Sequence, residues 1–147
     1  MRRLPDGALL HLVPEDLQVV IVVVAAVIED EGAFLVTRRQ TGVHLAGLWE
    51  FPGGKIDEGE THHAALAREI REELDAEIDV GELVFQVTHA YDDRTVALYF
   101  YRCTLIGQAR PLLGQEMQWV PRADLSALGF PPADEELIKL LTGSGAQ

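Results

Sequence analysis

The chain has 147 residues, of which 48% are hydrophobic, and its 24 acidic residues outnumber 12 lysines and arginines, giving a formal net charge of −12. That length and apolar fraction fit one domain with its own core, and they exclude a disordered acidic tail. The charge argues against a protein that coats nucleic acid, because phosphates require a basic binding surface. A phosphorylated small molecule stays compatible with the charge, since divalent cations can lie between carboxylates and phosphates.

Cysteine content and hydropathy indicate the compartment. The single cysteine, Cys103, cannot form an intrachain disulfide, and its alternating apolar surroundings favour a small core residue over a nucleophile. The longest apolar run, residues 19–28, is about half the length of a membrane-spanning helix. These features predict a cytoplasmic protein with one domain over residues 1–147. Its core is expected over about residues 19–141, and residues 1–17 form an N-terminal extension without an assigned role.

The hydrophobic pattern predicts secondary structure along the chain. Strands are expected at residues 19–28, 33–38, 49–51, 83–89, 95–105 and 117–120. Pro52-Gly53-Gly54 is expected to stop the third of these strands. Helices are expected at residues 61–74, where Thr61 can cap the first turn, and at residues 134–141. Strands on both sides of a central helix, followed by a closing helix, predict an α+β fold with a mixed sheet.

Three glutamates lie on one face of the helix predicted at residues 61–74. Glu69, Glu72 and Glu73 stand at positions i, i+3 and i+4, so their carboxylates project together. Like charges at this spacing repel, whereas a hard cation such as Mg²⁺ or Mn²⁺ would bind them. The alternative is a solvated acidic face that pairs with Arg68 and Arg71, and the helix taken alone favours that alternative.

The loop before this helix favours a metal site. The adjacent glycines Gly53 and Gly54 are followed by Lys55, Asp57, Glu58, Gly59 and Glu60. Two neighbouring glycines permit a backbone path closed to other residues and let a ligand or metal approach a carbonyl closely. A glycine turn, an acid just before the helix and three acids on the helix face are difficult to explain together as surface decoration.

The combined pattern resembles the Nudix box, G-x5-E-x7-R-E-U-x-E-E-x-G-U, in which U is a bulky aliphatic residue. The matching positions are Gly54, Glu60, Arg68, Glu69, Ile70, Glu72 and Glu73. The chain departs from the motif at the last glycine, which is Asp75, and at the final aliphatic residue, which is Ala76. Aspartate tolerates the left-handed conformation expected at this helix end at a cost of about 1 kcal/mol. We therefore expect Asp75 to affect local stability more than chemistry.

This resemblance implies a Nudix-type α/β/α sandwich and metal-dependent hydrolysis of nucleoside diphosphates linked to another group. It implies Mg²⁺, with Mn²⁺ as an alternative, and the implied ligands are Glu69, Glu72, Glu73, the Gly53 carbonyl and, from a later loop, Glu116. The implied catalytic set is Glu69 as the base, Arg68 as the residue that orients the carboxylates, and Glu72. Gly54, Lys55 and Glu60 would form the loop that faces the phosphates.

Similarity beyond the box, over roughly residues 19–141, extends to the MutT branch of the family, which removes oxidised nucleoside triphosphates. The resemblance implies that the base is surrounded by Arg39, His44, Phe51, Tyr91, Asp93, Arg94 and Asp134. Each of these residues has a plainer alternative, such as a solvated loop cation for Arg39 or a core aromatic for Phe51 and Tyr91.

Asp134 stands where that branch has an asparagine. Asparagine offers both a donor and an acceptor to a base edge, whereas an ionised aspartate only accepts. Oxidised guanine presents the acceptor O6, which suits the carboxylate poorly unless Asp134 is protonated, while cytosine N4 and adenine N6 are donors. The substitution thus weakens an 8-oxo-dGTP assignment and favours a broader or cytosine-directed one.

The leading prediction is metal-dependent hydrolysis of a nucleoside triphosphate to monophosphate and pyrophosphate, for nucleotide-pool sanitation and DNA repair. The alternatives are hydrolysis of ADP-ribose or dinucleoside polyphosphates, and a non-catalytic module that binds nucleotides, although such modules usually lose box glutamates. No extra dimer-forming elements are evident, so a monomer is expected, without nucleic acid polymers or membranes as partners.

Overall fold

The computed structural model describes residues 19–40, 42 and 46–143, so the predicted N-terminal extension, residues 1–17, lies outside the described part. The strands of that part are β1 Val20–Asp30, β2 Ala33–Arg38, β3 Trp49–Glu50, β4 Gly53–Lys55, β5 Glu77–Tyr91, β6 Arg94–Ile106 and β7 Met117–Pro121. The α-helices are α1 His62–Leu74 and α2 Glu135–Thr142, and short 3-10 helices span Arg122–Ala127 and Pro132–Asp134.

Strand β1 organises a mixed sheet with the strand order β3-β2-β1-β6-β5. It runs parallel to β6 and antiparallel to both β2 and β4. Two partners share one edge of β1 because β4 pairs with Val23 to Ala25, whereas β2 pairs with Glu29 and Asp30. This division brings the two glycines of β4 alongside the middle of β1.

The two faces of β1 bury separate halves of the core, because successive side chains of a strand point to opposite sides. Val24, Ala26 and Ile28 pack with Leu66 and Ile70 of α1. On the other face, Ala25 and Val27 pack with Leu137, Ile138 and Leu141 of α2. Each fully buried aliphatic side chain contributes about 1.5–3 kcal/mol. The predicted α+β class, with a helix on either face of a mixed sheet, is confirmed.

The structure differs from the predicted elements mainly at β4 and β5. Strand β3 ends before Pro52, as predicted, but Gly53 and Gly54 begin a further strand that pairs with β1. A Cβ on Gly53 would lie 2.0 Å from the Val24 carbonyl oxygen, so only glycine permits this approach. Strand β5 begins earlier than predicted because register shifts around Leu83 break the two-residue alternation that marks a strand. The 3-10 helix Arg122–Ala127 was not predicted.

The ends of α1 follow the sequence-based expectations. The Thr61 hydroxyl accepts a hydrogen bond from the Ala64 N–H at 3.1 Å and caps the first turn. At the other end Asp75 adopts the left-handed conformation, with φ 52° and ψ 43°, and its N–H donates to the Arg71 carbonyl. The Asp75 carboxylate also pairs with Arg110 at 2.8 Å. Asp75 thus adopts the left-handed conformation that glycine would adopt with less strain, and its carboxylate forms an ion pair that glycine could not form.

Two further expectations concern the chain as a whole. Cys103 is 4% exposed, and burial raises the pKa of its thiol to about 12, so it is a core residue as predicted. Within the described ranges, no helix is both long enough and apolar enough to cross a membrane.

The left-handed conformation of Asp75 predicts a ranking of variants. Asp75→Gly should change the free energy of unfolding by less than about 1 kcal/mol, because relief of backbone strain offsets the lost exposed ion pair. Asp75→Val should lower it by about 1–3 kcal/mol, because a β-branched residue is strained at positive φ. Urea unfolding of both variants measures the difference. Equal stability of the two would contradict a requirement for positive φ here.

Candidate active site

Arg68 lies at the centre of the acidic cluster. Its guanidinium donates to both carboxylate oxygens of Glu60, at 2.7 and 2.9 Å. It also donates to one oxygen each of Glu69 and Glu72, at 3.2 Å in both cases, and to the Lys55 carbonyl at 3.1 Å. Bidentate pairing to a carboxylate is strong and directional. Arg68 therefore joins the loop before α1 to two of the predicted metal ligands.

Glu60 is held as an anion by this contact. The hydrogen bond from Arg68 and a second one from the Asp57 N–H at 2.9 Å lower the pKa of Glu60 to about 2. A carboxylate that stays ionised near neutral pH is suited to positioning rather than to proton transfer. Its place in the structure agrees with the predicted supporting role.

The predicted metal ligands meet the backbone of β4. A Cβ on Gly54 would lie 2.4 Å from the Glu69 carboxylate, so this side chain packs directly on the glycine. Glu73, one turn later, is half-buried, and burial together with the negative charge of Glu69 raises its pKa to about 8. Carboxylates that crowd one another beside an accessible backbone form the oxygen-rich donor set that hard divalent cations prefer. The residues present therefore fit the implied cation.

The predicted carboxylate ligands do not form a complete metal site in this structure. Across the described ranges, no group of three His, Cys, Asp or Glu side chains is placed to hold a metal ion together. Glu69 and Glu72 each direct an oxygen to Arg68 instead. A cation bound by all three predicted glutamates would compete with Arg68 for these oxygens.

A cavity of about 290 Å³ opens beside this cluster. Its apolar walls come from β1 and β6 and include Val23, Val96 and Leu98. Several residues that the sequence assigned to base binding line it together, namely Arg39, Phe51, Tyr91, Arg94 and Asp134. Predicted metal and phosphate residues line it as well, namely Gly53, Gly54, Lys55 and Glu73. The fold thus brings the two predicted halves of the site into one space.

Phe51 combines the two roles that the sequence left open. It is 3% exposed, stacks on Phe130 with ring centroids 5.5 Å apart, and meets the edge of Phe100. It also lines the cavity. The core aromatic therefore forms part of the cavity wall, and the surrounding rings fix its position.

Glu72, Asp93 and Glu116 are predicted site residues that do not line this cavity. His44 falls outside the described residues. Asp93 pairs with Arg94 at 2.9 Å, and Glu72 is exposed beside Arg68. Glu116 pairs with Arg38 at 2.9 Å, because the Arg38 N–H donates to the Glu116 carbonyl and holds the two residues side by side. The metal role of Glu116 stays a prediction.

The polar wall of the cavity contains a residue to which the sequence assigned no role, Glu50. Arg39 donates to Glu50 at 2.7 Å, and both residues also line a second cavity of about 170 Å³ that includes Glu73. Burial raises the pKa of Glu50, and Arg39 opposes that rise. The alternation in residues 49–51 could have revealed Glu50, since an acid between two buried aromatics faces the opposite side of the strand.

Comparison with known proteins identifies the family. The profile of the NUDIX domain matches residues 23–140. The chain belongs to the Nudix family. The 8-oxo-dGTP diphosphatase of Haemophilus influenzae is 38% identical over 124 residues, which cover 83% of this chain and 91% of that protein. The CTP pyrophosphohydrolase of Escherichia coli is 35% identical over 118 residues, covering 80% and 87%.

A solved structure extends this likeness to the three-dimensional fold. The solution structure of MutT from methicillin-resistant Staphylococcus aureus is 35% identical, has a TM-score of 0.70, and covers 87% of this chain and 99% of that one. The predicted MutT-like Nudix assignment is confirmed, and with it the fold of this Nudix domain.

The two glycines of β4 predict different defects when each is replaced by alanine. Gly54→Ala should fold normally, because the clashing atoms belong to the flexible end of Glu69. It should lower kcat/KM by about 100-fold, since the added methyl group displaces that carboxylate.

Gly53→Ala is the matched comparison, because its clash is with the backbone of Val24. It should lower the free energy of unfolding by about 1–3 kcal/mol. Thermal unfolding and steady-state kinetics of both variants separate the two effects. If the folded Gly54→Ala variant keeps full activity, the position of the Glu69 carboxylate is not needed for catalysis.

The low pKa of Glu60 predicts a pH-dependent contribution to stability. Arg68 lowers the pKa of Glu60 from 4.5 to about 2, so the contribution is complete above pH 4.5 and disappears as the pH falls towards 2. The difference in unfolding free energy between the wild type and Glu60→Gln should therefore shrink over this interval. Urea unfolding at several pH values measures it, with Glu58→Gln as an exposed control from the same loop. A difference that stays constant down to pH 2 would contradict the role of Glu60 ionisation.

Proposed function

We propose that this Nudix domain hydrolyses a nucleoside triphosphate to its monophosphate and pyrophosphate with the help of a divalent cation, Mg²⁺ in the first instance. The observation that carries the proposal is one cleft whose wall combines apolar side chains with the β4 glycines and Glu73 of the box. A nucleotide has the same division, with a flat base at one end and a charged phosphate chain at the other.

The apolar part of the cleft suits a base. The cleft as a whole has a volume of about 290 Å³, at the small end of ligand pockets. Phe51 and Leu98 offer apolar surface to the ring. Arg39, Tyr91 and Asp134 add the few polar groups that orient a ligand in such a pocket.

The other part of the cleft suits the phosphates. We propose that Glu69, Glu72, Glu73 and the Gly53 carbonyl hold the cation, while Lys55 offers positive charge to the phosphate chain. When bound, the cation neutralises the phosphates and makes water a better nucleophile near neutral pH. Arg68 keeps the carboxylates oriented, and its hold on one oxygen of Glu69 positions that residue to accept the proton of the attacking water.

Two relatives support a triphosphate as the substrate. One is named 8-oxo-dGTP diphosphatase and the other CTP pyrophosphohydrolase. Both names describe hydrolysis of nucleotides, the class of activity predicted from the box. We therefore place this chain in nucleotide-pool sanitation, with 8-oxo-dGTP and modified cytosine nucleotides as the candidate substrates. A net charge of −12 favours free nucleotides over a nucleic acid polymer.

A substrate panel tests this proposal. The purified protein with Mg²⁺ is expected to release pyrophosphate, and no orthophosphate, from at least one of 8-oxo-dGTP, dCTP and CTP. Excess EDTA should abolish the release, and Mg²⁺ in excess of the chelator should restore it. Activity only on ADP-ribose or a dinucleoside polyphosphate would replace the triphosphate proposal, and binding without hydrolysis would indicate a nucleotide-binding module.

A matched pair of variants controls the panel. Glu72→Gln should lower kcat by orders of magnitude if this residue holds the cation. Glu136→Gln changes another exposed glutamate that pairs with a cation of its own helix, Lys139, and should keep the wild-type rate. An undiminished rate for Glu72→Gln would exclude that residue from the site.

A further inference from the structure

Asp134 presents a buried carboxyl group to the base end of the cleft. It is 3% exposed and lines the cavity. Although it precedes α2, its side chain forms no capping hydrogen bond with that helix. Within the described part of the chain, no side chain or backbone N–H donates a hydrogen bond to its carboxyl group. A carboxyl group in this wall can form a hydrogen bond with a ligand that enters the cavity.

Two acids, Asp134 and Glu50, lie near one arginine, Arg39, in the wall of the cavity. Glu50 of β3 places a second acid in the same cavity, and Arg39, which follows β2, lines it as well and acts electrostatically on Asp134. Arg39 already donates to Glu50 at 2.7 Å. The other ionisable groups that line the cavity are Tyr91 at the end of β5, Arg94, Lys55 and Glu73. Arg94 is paired with Asp93, and Lys55 is exposed.

We propose that Glu50 is a specificity-determining residue, whose charge decides whether Asp134 offers the base an O–H donor or acceptors alone. The inference rests on the proposed function and deepens it. With its proton, Asp134 can donate to O6 of an oxidised guanine, and without it Asp134 accepts from N4 of cytosine. Glu50 would thus bias the enzyme between two classes of base without touching either.

The charges of Glu50 and Arg39 in the cavity wall support this assignment. Burial, assisted by the negative charge of Glu50 and opposed by Arg39, raises the pKa of Asp134 to about 7. Both forms of Asp134 are therefore present near neutral pH. Glu50→Gln removes the charge that favours the proton and frees Arg39 from its carboxylate partner. Both changes favour ionised Asp134.

The ratio of kcat/KM for 8-oxo-dGTP to that for dCTP isolates this effect. The two substrates share the same sugar and triphosphate, so titration of the box glutamates affects both rates alike and cancels in the ratio. If each base requires one form of Asp134, the ratio falls by about tenfold for each pH unit.

The experiment measures this ratio between pH 6 and pH 8 in four proteins. In the wild type it should fall steeply as the pH rises. In Asp134→Asn it should be nearly constant and favour 8-oxo-dGTP, because an amide offers a donor at every pH. In Glu50→Gln it should be about tenfold lower than in the wild type at each pH, equivalent to a change of one unit in the pKa of Asp134. Glu136→Gln, on exposed α2 surface, should match the wild type.

Two results would overturn the inference. One is a wild-type ratio that does not change between pH 6 and pH 8. The other is a Glu50→Gln ratio equal to that of the wild type, which would limit Glu50 to structure or catalysis common to all bases. Equilibrium binding of 8-oxo-dGMP and dCMP over the same pH series repeats the comparison without hydrolysis. It tests the role of Glu50 even where the triphosphates are not cleaved, a result that would count against the proposed function alone.

Discussion

The site depends on how closely the glycine strand β4 approaches its two neighbours. A Cβ on Gly53 would stand 2.0 Å from the Val24 carbonyl oxygen, and a Cβ on Gly54 would stand 2.4 Å from the Glu69 carboxylate. These approaches place the acidic face of α1 against β4. A side chain at Gly53 would push β4 away from β1, and one at Gly54 would displace the Glu69 carboxylate.

Electrostatic repulsion is the consequence of that placement. Residues 50–77 contain nine acids and three lysines or arginines, half of the net charge of the chain. Arg68 compensates one side of this cluster by pairing with Glu60, Glu69 and Glu72. Glu73 is left with its pKa raised by burial and by its acidic neighbours. A divalent cation bound among these carboxylates would relieve the remaining repulsion between them.

A second and separate excess of acidic groups lies on the Asp134 side of the cleft. There Asp134 and Glu50 share Arg39, and burial favours the neutral form of each acid. The hydrogen-bonding character of Asp134 therefore depends on its proton, whereas an asparagine at this position would offer a donor and an acceptor at every pH. The two groups of acids lie along one cleft, one beside the glycines of β4 and the other around Arg39.

The sequence by itself determined the family, the α1 helix with its aligned glutamates, and the left-handed end at Asp75, because these follow from local spacing and backbone preference. It also named nine of the residues that line the cavity. Only the tertiary structure decided that Gly53 and Gly54 form a strand, that Glu116 pairs with Arg38, and that Glu50 and Asp134 line one cavity. The reason is physical. Spacing along a helix fixes which side chains share a face, whereas burial and pairing between distant segments arise only when the sheet brings those segments together.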